Sequence, residues 1–155
     1  MPDAQLMYED FAPGAIFESD ERTVTADEII EFASEFDPQP MHLDEAAGKA
    51  SILGGLSASG WHICSLSMSL FFDSILSRAA GEGSPGIDIV EWRRPLLAGD
   101  TIRLTTEIKS TRELKSRPGI GMLGIEQKIT NDRNQTVMRL ECSLMVRMRN
   151  GGLPQ

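Results

Sequence analysis

From Thr101 to Met148 the chain alternates apolar and polar residues in three successive runs, and nothing else in the sequence restricts the fold as much. Ile102, Leu104, Thr106 and Ile108 share one side of Thr101–Lys109, against Arg103, Thr105, Glu107 and Lys109. Leu123, Ile125, Gln127 and Ile129 share one side of the next run. In the last, Met138, Leu140, Cys142, Leu144, Val146 and Met148 oppose Arg139, Glu141, Ser143 and Arg147. Successive side chains of a strand point to opposite sides, so each run is a strand with one face buried and one in water. The connections Lys115–Gly121 and Asn131–Gln135 are short and polar, which makes the three strands an antiparallel meander. Ile87–Trp92 reads as a further strand, broken by Arg94-Pro95 before a Gly99-Asp100 turn.

A sheet with one apolar face needs a covering layer. After a loose lead-in, 1–14, closed by Pro13-Gly14, Ala15–Thr23 reads as a first strand. Thr25-Ala26-Asp27-Glu28 has capping-box spacing, and Ile29, Phe32, Ala33 and Phe36 recur at helical intervals behind it. That helix stops where Asp37 precedes Pro38, and a short helical piece follows around Asp44–Ala47. The longest helix is expected from Ser57 or Ser59 through about Ala79, with Ile63, Leu66, Leu70 and Ile75 on one face, before Gly81, Gly83, Pro85 and Gly86 end it. Serines, Gly60 and Cys64 crowd this helix, as expected where other backbone approaches closely. The order of elements predicts an α+β domain, single over 1–155, with 149–155 as a loose tail.

With 23 acidic against 15 basic residues the net charge is −8, which argues against general nucleic-acid binding. No apolar run is long enough to span a membrane, and Met1–Asp10 lacks the apolar core of a signal peptide. Cys64 and Cys142 sit in apolar-patterned segments and read as two small buried thiols in a reducing cytoplasm. A metal site is not expected, since only the weak pair His62 and Cys64 has any ligand-like spacing, and no G-x-G-x-x-G stands between strand and helix.

One stretch carries chemistry. Asp37-Pro38-Gln39-Pro40-Met41-His42-Leu43-Asp44 places a histidine five residues after an aspartate with two prolines between. A carboxylate and an imidazole are the usual pair for activating water near neutral pH. Each proline fixes its own φ and pushes the residue before it toward extended backbone, so a stiff, non-helical arch is expected. On these residues alone two readings stand: a dyad held at fixed positions, or a helix stop, a turn and a packed histidine.

Three further segments accompany the arch in order: Tyr8-Glu9-Asp10-Phe11-Ala12-Pro13-Gly14, Gly54-Gly55-Leu56-Ser57-Ala58-Ser59-Gly60, and Arg94-Pro95-Leu96-Leu97-Ala98-Gly99-Asp100. With Asp37-x4-His42-Leu43-Asp44 they resemble the MaoC-type (R)-specific enoyl-CoA hydratases, over most of the chain. The resemblance implies a hot-dog fold, an antiparallel sheet wrapped around a long central helix, and a homodimer. It implies addition of water to a trans-2-enoyl-CoA to give an (R)-3-hydroxyacyl-CoA, or the reverse dehydration. Asp37 and His42 would hold one water and share the proton traffic. Gly60, at a helix start, would let the thioester reach an unpaired N–H. Coenzyme A enters as part of the substrate, so no cofactor is implied.

Gln39, Ser59, Trp61, His62, Met68, Arg93 and Arg94 are the substrate-side candidates, and Lys109, Arg112, Lys115 and Arg117 are further cations for the phosphates. For His62 the commoner role is to cap or pack, and for the cations a solvated rim is the competing reading. The chain departs from the family pattern in three places. Pro38-Gln39-Pro40-Met41 replaces the commoner Asn-Pro-Leu, with Gln39 in position to take over the asparagine's orienting role. Ser59-Gly60 replaces His-Gly, and Met68, between Ser67 and Ser69, stands where well-studied members have a helix serine. These departures leave two alternatives beside the hydratase: a hot-dog acyl-CoA thioesterase, or a non-catalytic acyl-CoA-binding or structural protein.

Overall fold

In chain order the elements are β1 (Ile16–Glu18), β2 (Arg22–Thr23), α1 (Ala26–Phe36), α2 (Glu45–Ala50), α3 (Gly60–Ser74), β3 (Ile87–Trp92), β4 (Thr101–Glu113), β5 (Ile120–Asn131) and β6 (Thr136–Arg147). They come from a computed structural model that describes residues 4–153. The strands form one six-stranded antiparallel sheet in the order β1-β4-β5-β6-β3, with β2 also pairing β4. The β4–β5–β6 meander follows the alternation. Leu104 stands opposite Ile129, and Ile125 opposite Cys142. Leu104, Ile129, Met138 and Val146 are fully buried. On the solvent face Arg139 gathers Glu91 and Glu126 from the two neighbouring strands and Glu141 from its own.

Helix α3 covers the apolar face with Ile63, Leu66, Leu70 and Phe71, which join the sheet residues in one core. Burial of each such large apolar side chain is worth about 1.5–3 kcal/mol. Helix α1 starts on the expected capping box: the Thr25 hydroxyl accepts from the Glu28 amide, and the Glu28 carboxylate accepts from the Thr25 amide. It ends at Phe36, with the Asp37 amide still donating to the Ala33 carbonyl.

Several expectations need correction. The first strand is interrupted at 19–21, where the Ser19 hydroxyl accepts from the Leu104 amide in place of a main-chain carbonyl. Helix α3 has 15 residues and stops at Ser74 rather than continuing to Ala79. Ile75, at φ −149°, leaves helical geometry, and Leu76–Arg78 forms a separate 3-10 turn although Ile75 and Leu76 extend the apolar pattern. Phe36, assigned to the buried face of α1, is 64% exposed and rests on Phe32. The lead-in read as loose is tied down from Leu6, whose amide donates to the Arg78 carbonyl. Arg149, in the expected tail, pairs with Asp10. Met1 to Asp3 and the last two residues lie outside the described residues.

Candidate active site

The arch is built by its prolines. Gln39 is extended at φ −75° and ψ 145°, as the residue before a proline should be, and Pro40–His42 then makes one 3-10 turn where a wholly non-helical arch was expected. That turn brings His42 back toward Asp37. Asp44 caps α2 by accepting from the Ala47 amide, which fixes the far end of the arch. Gly48 in α2 lies directly on the backbone of Gly55 and Leu56, where any Cβ would overlap main chain. The segment so supported runs beside Leu96–Ala98, the Ala58 amide donating to Leu96 and the Ala98 amide to Leu56. Its product is a rigidly placed Ser57 carbonyl.

His42 is buried, and its Nδ1–H donates to that Ser57 carbonyl at 2.6 Å. A carbonyl can only accept, so Nδ1 carries a proton, and in the neutral tautomer that this bond selects Nε2 presents its lone pair. Nε2 faces Asp37 Oδ2 at 3.5 Å. The aspartate is itself held: Gln39 donates to Oδ1 at 2.8 Å and Ser59 to Oδ2 at 2.7 Å. These two hydrogen bonds, with a smaller contribution from the neighbouring His42, keep its carboxyl below the usual range against the opposing effect of burial. At 3.5 Å the pair is beyond a good direct hydrogen bond. One water standing off the line between them can reach both acceptors. Its two hydrogens would then go to carboxylate and imidazole, leaving an oxygen lone pair free.

Ser59 and Gly60 open α3. Ser59 is fully buried and does not cap the helix, since its hydroxyl is spent on Asp37. The amides of Gly60, Trp61 and His62 find no acceptor among the described residues, as at any uncapped helix start. They carry the partial positive charge of the helix end. A cleft of about 280 Å³ lies here, lined by His42, Ser57, Gly60, Trp92, Arg93 and Arg94 among others. The open space expected over Gly60 is in fact held by Trp92: a Cβ at Gly60 would lie 2.6 Å from its indole. Trp92 meets Trp61 edge to face, with ring centroids 5.7 Å apart. Beyond Trp61 runs a larger apolar groove of about 840 Å³ between α3 and β3, β5 and β6.

The predicted residues therefore separate into groups. Asp37, Gln39 and Ser59 form one hydrogen-bonded cluster, His42 faces its Asp37 at 3.5 Å, and Gly60 follows Ser59 at the edge of the cleft. Trp61 and Met68 line the apolar groove and not the cleft. His62 lines neither. It is buried and stacked on Phe32 of α1 at 4.6 Å, and burial lowers its pKa. Arg93 and Arg94 both border the cleft, but Arg93 is paired with Glu91 at 2.8 Å. Lys109 is tied to Glu107, and none of Lys109, Arg112, Lys115 and Arg117 borders the cleft. Cys64 and Cys142 are half-buried in the groove wall rather than buried in the core, and burial still pushes the Cys142 thiol up to about 11. Ser57, Trp92 and Gly48 were not anticipated. Their roles depend on long-range contacts that no local spacing signals.

The family described as MaoC like domain matches residues 10–123. The solved MaoC-like dehydratase from Rhodospirillum rubrum is 38% identical, with 93% of this chain and 98% of that one aligned and a TM-score of 0.87. The uncharacterized protein YdeM of Bacillus subtilis is 25% identical over 150 residues, 92% of this chain and 99% of YdeM. A conserved hypothetical protein of Mycobacterium tuberculosis with a double hotdog fold superposes at a TM-score of 0.81 and 16% identity, a likeness of fold alone. The alignment takes 97% of this chain and 47% of that one. The antiparallel sheet carrying α3 is an α+β hot-dog fold.

Proposed function

Because this chain belongs to the MaoC like domain family, we propose that it is a hydro-lyase acting on acyl-CoA thioesters. It adds water to a trans-2-enoyl-CoA to give the (R)-3-hydroxyacyl-CoA, or removes it in reverse. The observation that carries this reading is the pairing of Asp37 Oδ2 with His42 Nε2 at 3.5 Å, with the imidazole's other nitrogen committed to Ser57. A water donating to both groups presents its lone pair to C3. As the C–O bond forms, one water proton passes to the dyad, which hands that same proton on to C2, while the other water hydrogen stays on the new hydroxyl. Positioned acid–base groups of this kind contribute about 10²–10⁴ in rate.

Negative charge grows on the thioester oxygen during attack. The free amides at the start of α3 are the donors available to it, and one such donor is worth roughly 2.7–4 kcal/mol. Trp92 must give way, or the thioester must lie alongside its indole, for the carbonyl to reach Gly60. Arg94 borders the same cleft and has no ion pair among the described residues, so it is the cation best placed for a coenzyme A phosphate.

The proposal includes a homodimer. Strand β3 is a sheet edge, and Trp61, Met68, Phe72, Ile87 and Ile89 are each 37–65% exposed on α3 and β3. An unpaired edge beside apolar side chains is a surface that a second copy would cover. No helix among the described residues is long and apolar enough to cross a membrane. The assay is hydration of crotonyl-CoA by the purified protein, with (R)-3-hydroxybutyryl-CoA as the expected product. Release of free thiol with no hydroxyacyl product would mean thioester hydrolysis and would reject the reading.

A further inference from the structure

The apolar groove has a polar floor. Gln127 is an amide on the inward face of β5, between Ile125 and Ile129, and is 4% exposed while bordering the groove. Its Nε2 donates to the hydroxyl of Thr106 on β4 at 3.2 Å, and its Oε1 accepts from Ser67 of α3 at 3.3 Å. Both hydroxyls are 1% exposed. A carboxamide offers two N–H donors and two acceptor lone pairs. One of each is used, and one of each has no partner among the described residues. A plain hydrocarbon lying on this floor would cover a donor and an acceptor without satisfying either, which is costly in an apolar setting.

Resting on the hydratase reading above, we infer that the groove takes the acyl chain of a substrate carrying a neutral polar group, a hydroxyl, some way from the thioester, and that Gln127 with Ser67 reads it. The groove adjoins the cleft at the Trp61–Trp92 contact, so a chain whose thioester lies at Gly60 continues along α3 past Trp61. A neutral group is favoured over a carboxylate because no basic side chain among the described residues of this chain borders the groove, and an unpaired charge there would be expensive. A hydroxyl matches the vacancies, donating to the free lone pair and accepting from the free N–H.

Its place on the chain follows from helix geometry. Gly60 and Ser67 are separated by about 10 Å at 1.5 Å per residue. An extended chain advances about 1.2 Å per bond, so the hydroxyl oxygen lies about eight bonds from the thioester carbon. That is the terminal hydroxyl of an eight-carbon acyl group.

The test compares ω-hydroxy-trans-2-enoyl-CoAs of six, eight and ten carbons with the unsubstituted enoyl-CoAs of the same lengths. In the wild type, kcat/KM should favour the hydroxylated eight-carbon substrate about tenfold, the range of one satisfied hydrogen bond. The preference should be weaker at the other two lengths. Gln127→Met, close in size and shape, should bring the eight-carbon ratio to about one or below, and Ser67→Ala should lower it from the opposite wall. Thermal unfolding of both variants separates this ratio from a loss of folding, and the wild-type length series decides even if neither variant folds. A wild-type ratio of one or less, or a ratio that Gln127→Met leaves unchanged, overturns the inference. Hydration of crotonyl-CoA, too short to reach Gln127, separates the two claims. If it proceeds while the ratio fails, only the polar floor is wrong, whereas no hydration of any enoyl-CoA removes both.

Discussion

Gly60 can be tested for why it is a glycine. An ideal Cβ at this position lies 2.6, 2.8 and 2.9 Å from three atoms of the Trp92 indole, far inside van der Waals contact. The obstacle is a side chain 46% exposed at the end of an edge strand, so Gly60→Ala should displace the indole rather than distort the helix. Displacement loses the edge-to-face contact with Trp61, worth about 0.5–1.5 kcal/mol beyond burial. Overpacking in general costs about 1–3 kcal/mol, and alanine's better helix propensity returns up to about 1 kcal/mol. The net expectation is a loss of about 1–2 kcal/mol. In a Trp92→Ala background the obstacle is gone, and Gly60→Ala should be neutral or stabilising by up to about 1 kcal/mol. Urea unfolding of the four proteins, at constant slope, measures the coupling. Effects that add within about 0.5 kcal/mol would refute the claim that Trp92 occupies the space Gly60 leaves.

Two further variants probe the charges. Ser59→Ala removes one of the two hydrogen bonds that hold the Asp37 carboxyl below the usual carboxylate range. A depressed carboxylate adds stability above its unfolded pKa and loses it as pH falls through the lower folded value. The variant should therefore be less stable by about 1.5 kcal/mol at neutral pH and should shift the acid limb of kcat/KM upward, both readable from one pH series. His62, stacked on Phe32, has its pKa lowered from 6.5 by burial, so the unfolded chain takes the proton first. Stability should hold above 6.5 and fall as pH drops below it toward the lowered value. His62→Phe should flatten that fall between pH about 7.5 and about 5, as followed by thermal melting, and an unchanged slope would contradict the assignment.

The strands were legible because one face of the sheet meets water and the other meets α3, which forces period two onto β4, β5 and β6. The start of α1 was legible because its cap is made by side chains three residues apart. The end of α3 was not, since Ile75 and Leu76 continue the apolar pattern and the break lies in backbone dihedrals. The arch announced its dyad through proline chemistry, yet its two anchors are distant in sequence. Ser57 fixes the imidazole by a main-chain carbonyl, which any residue type supplies, and Trp92 reaches Gly60 from the far end of another strand. His62 and Arg93 had the right chemistry in the right neighbourhood. Packing on Phe32 took one, and the carboxylate of Glu91 took the other.

The central claim is that Asp37 and His42 act together on one water. The direct test is turnover of an enoyl-CoA by Asp37→Asn protein whose fold is verified by circular dichroism and melting. The asparagine keeps the shape of the side chain and loses its charge and proton affinity, so kcat should fall about 10³-fold while substrate binding persists. Turnover equal to wild type in the folded variant would show that water is activated elsewhere.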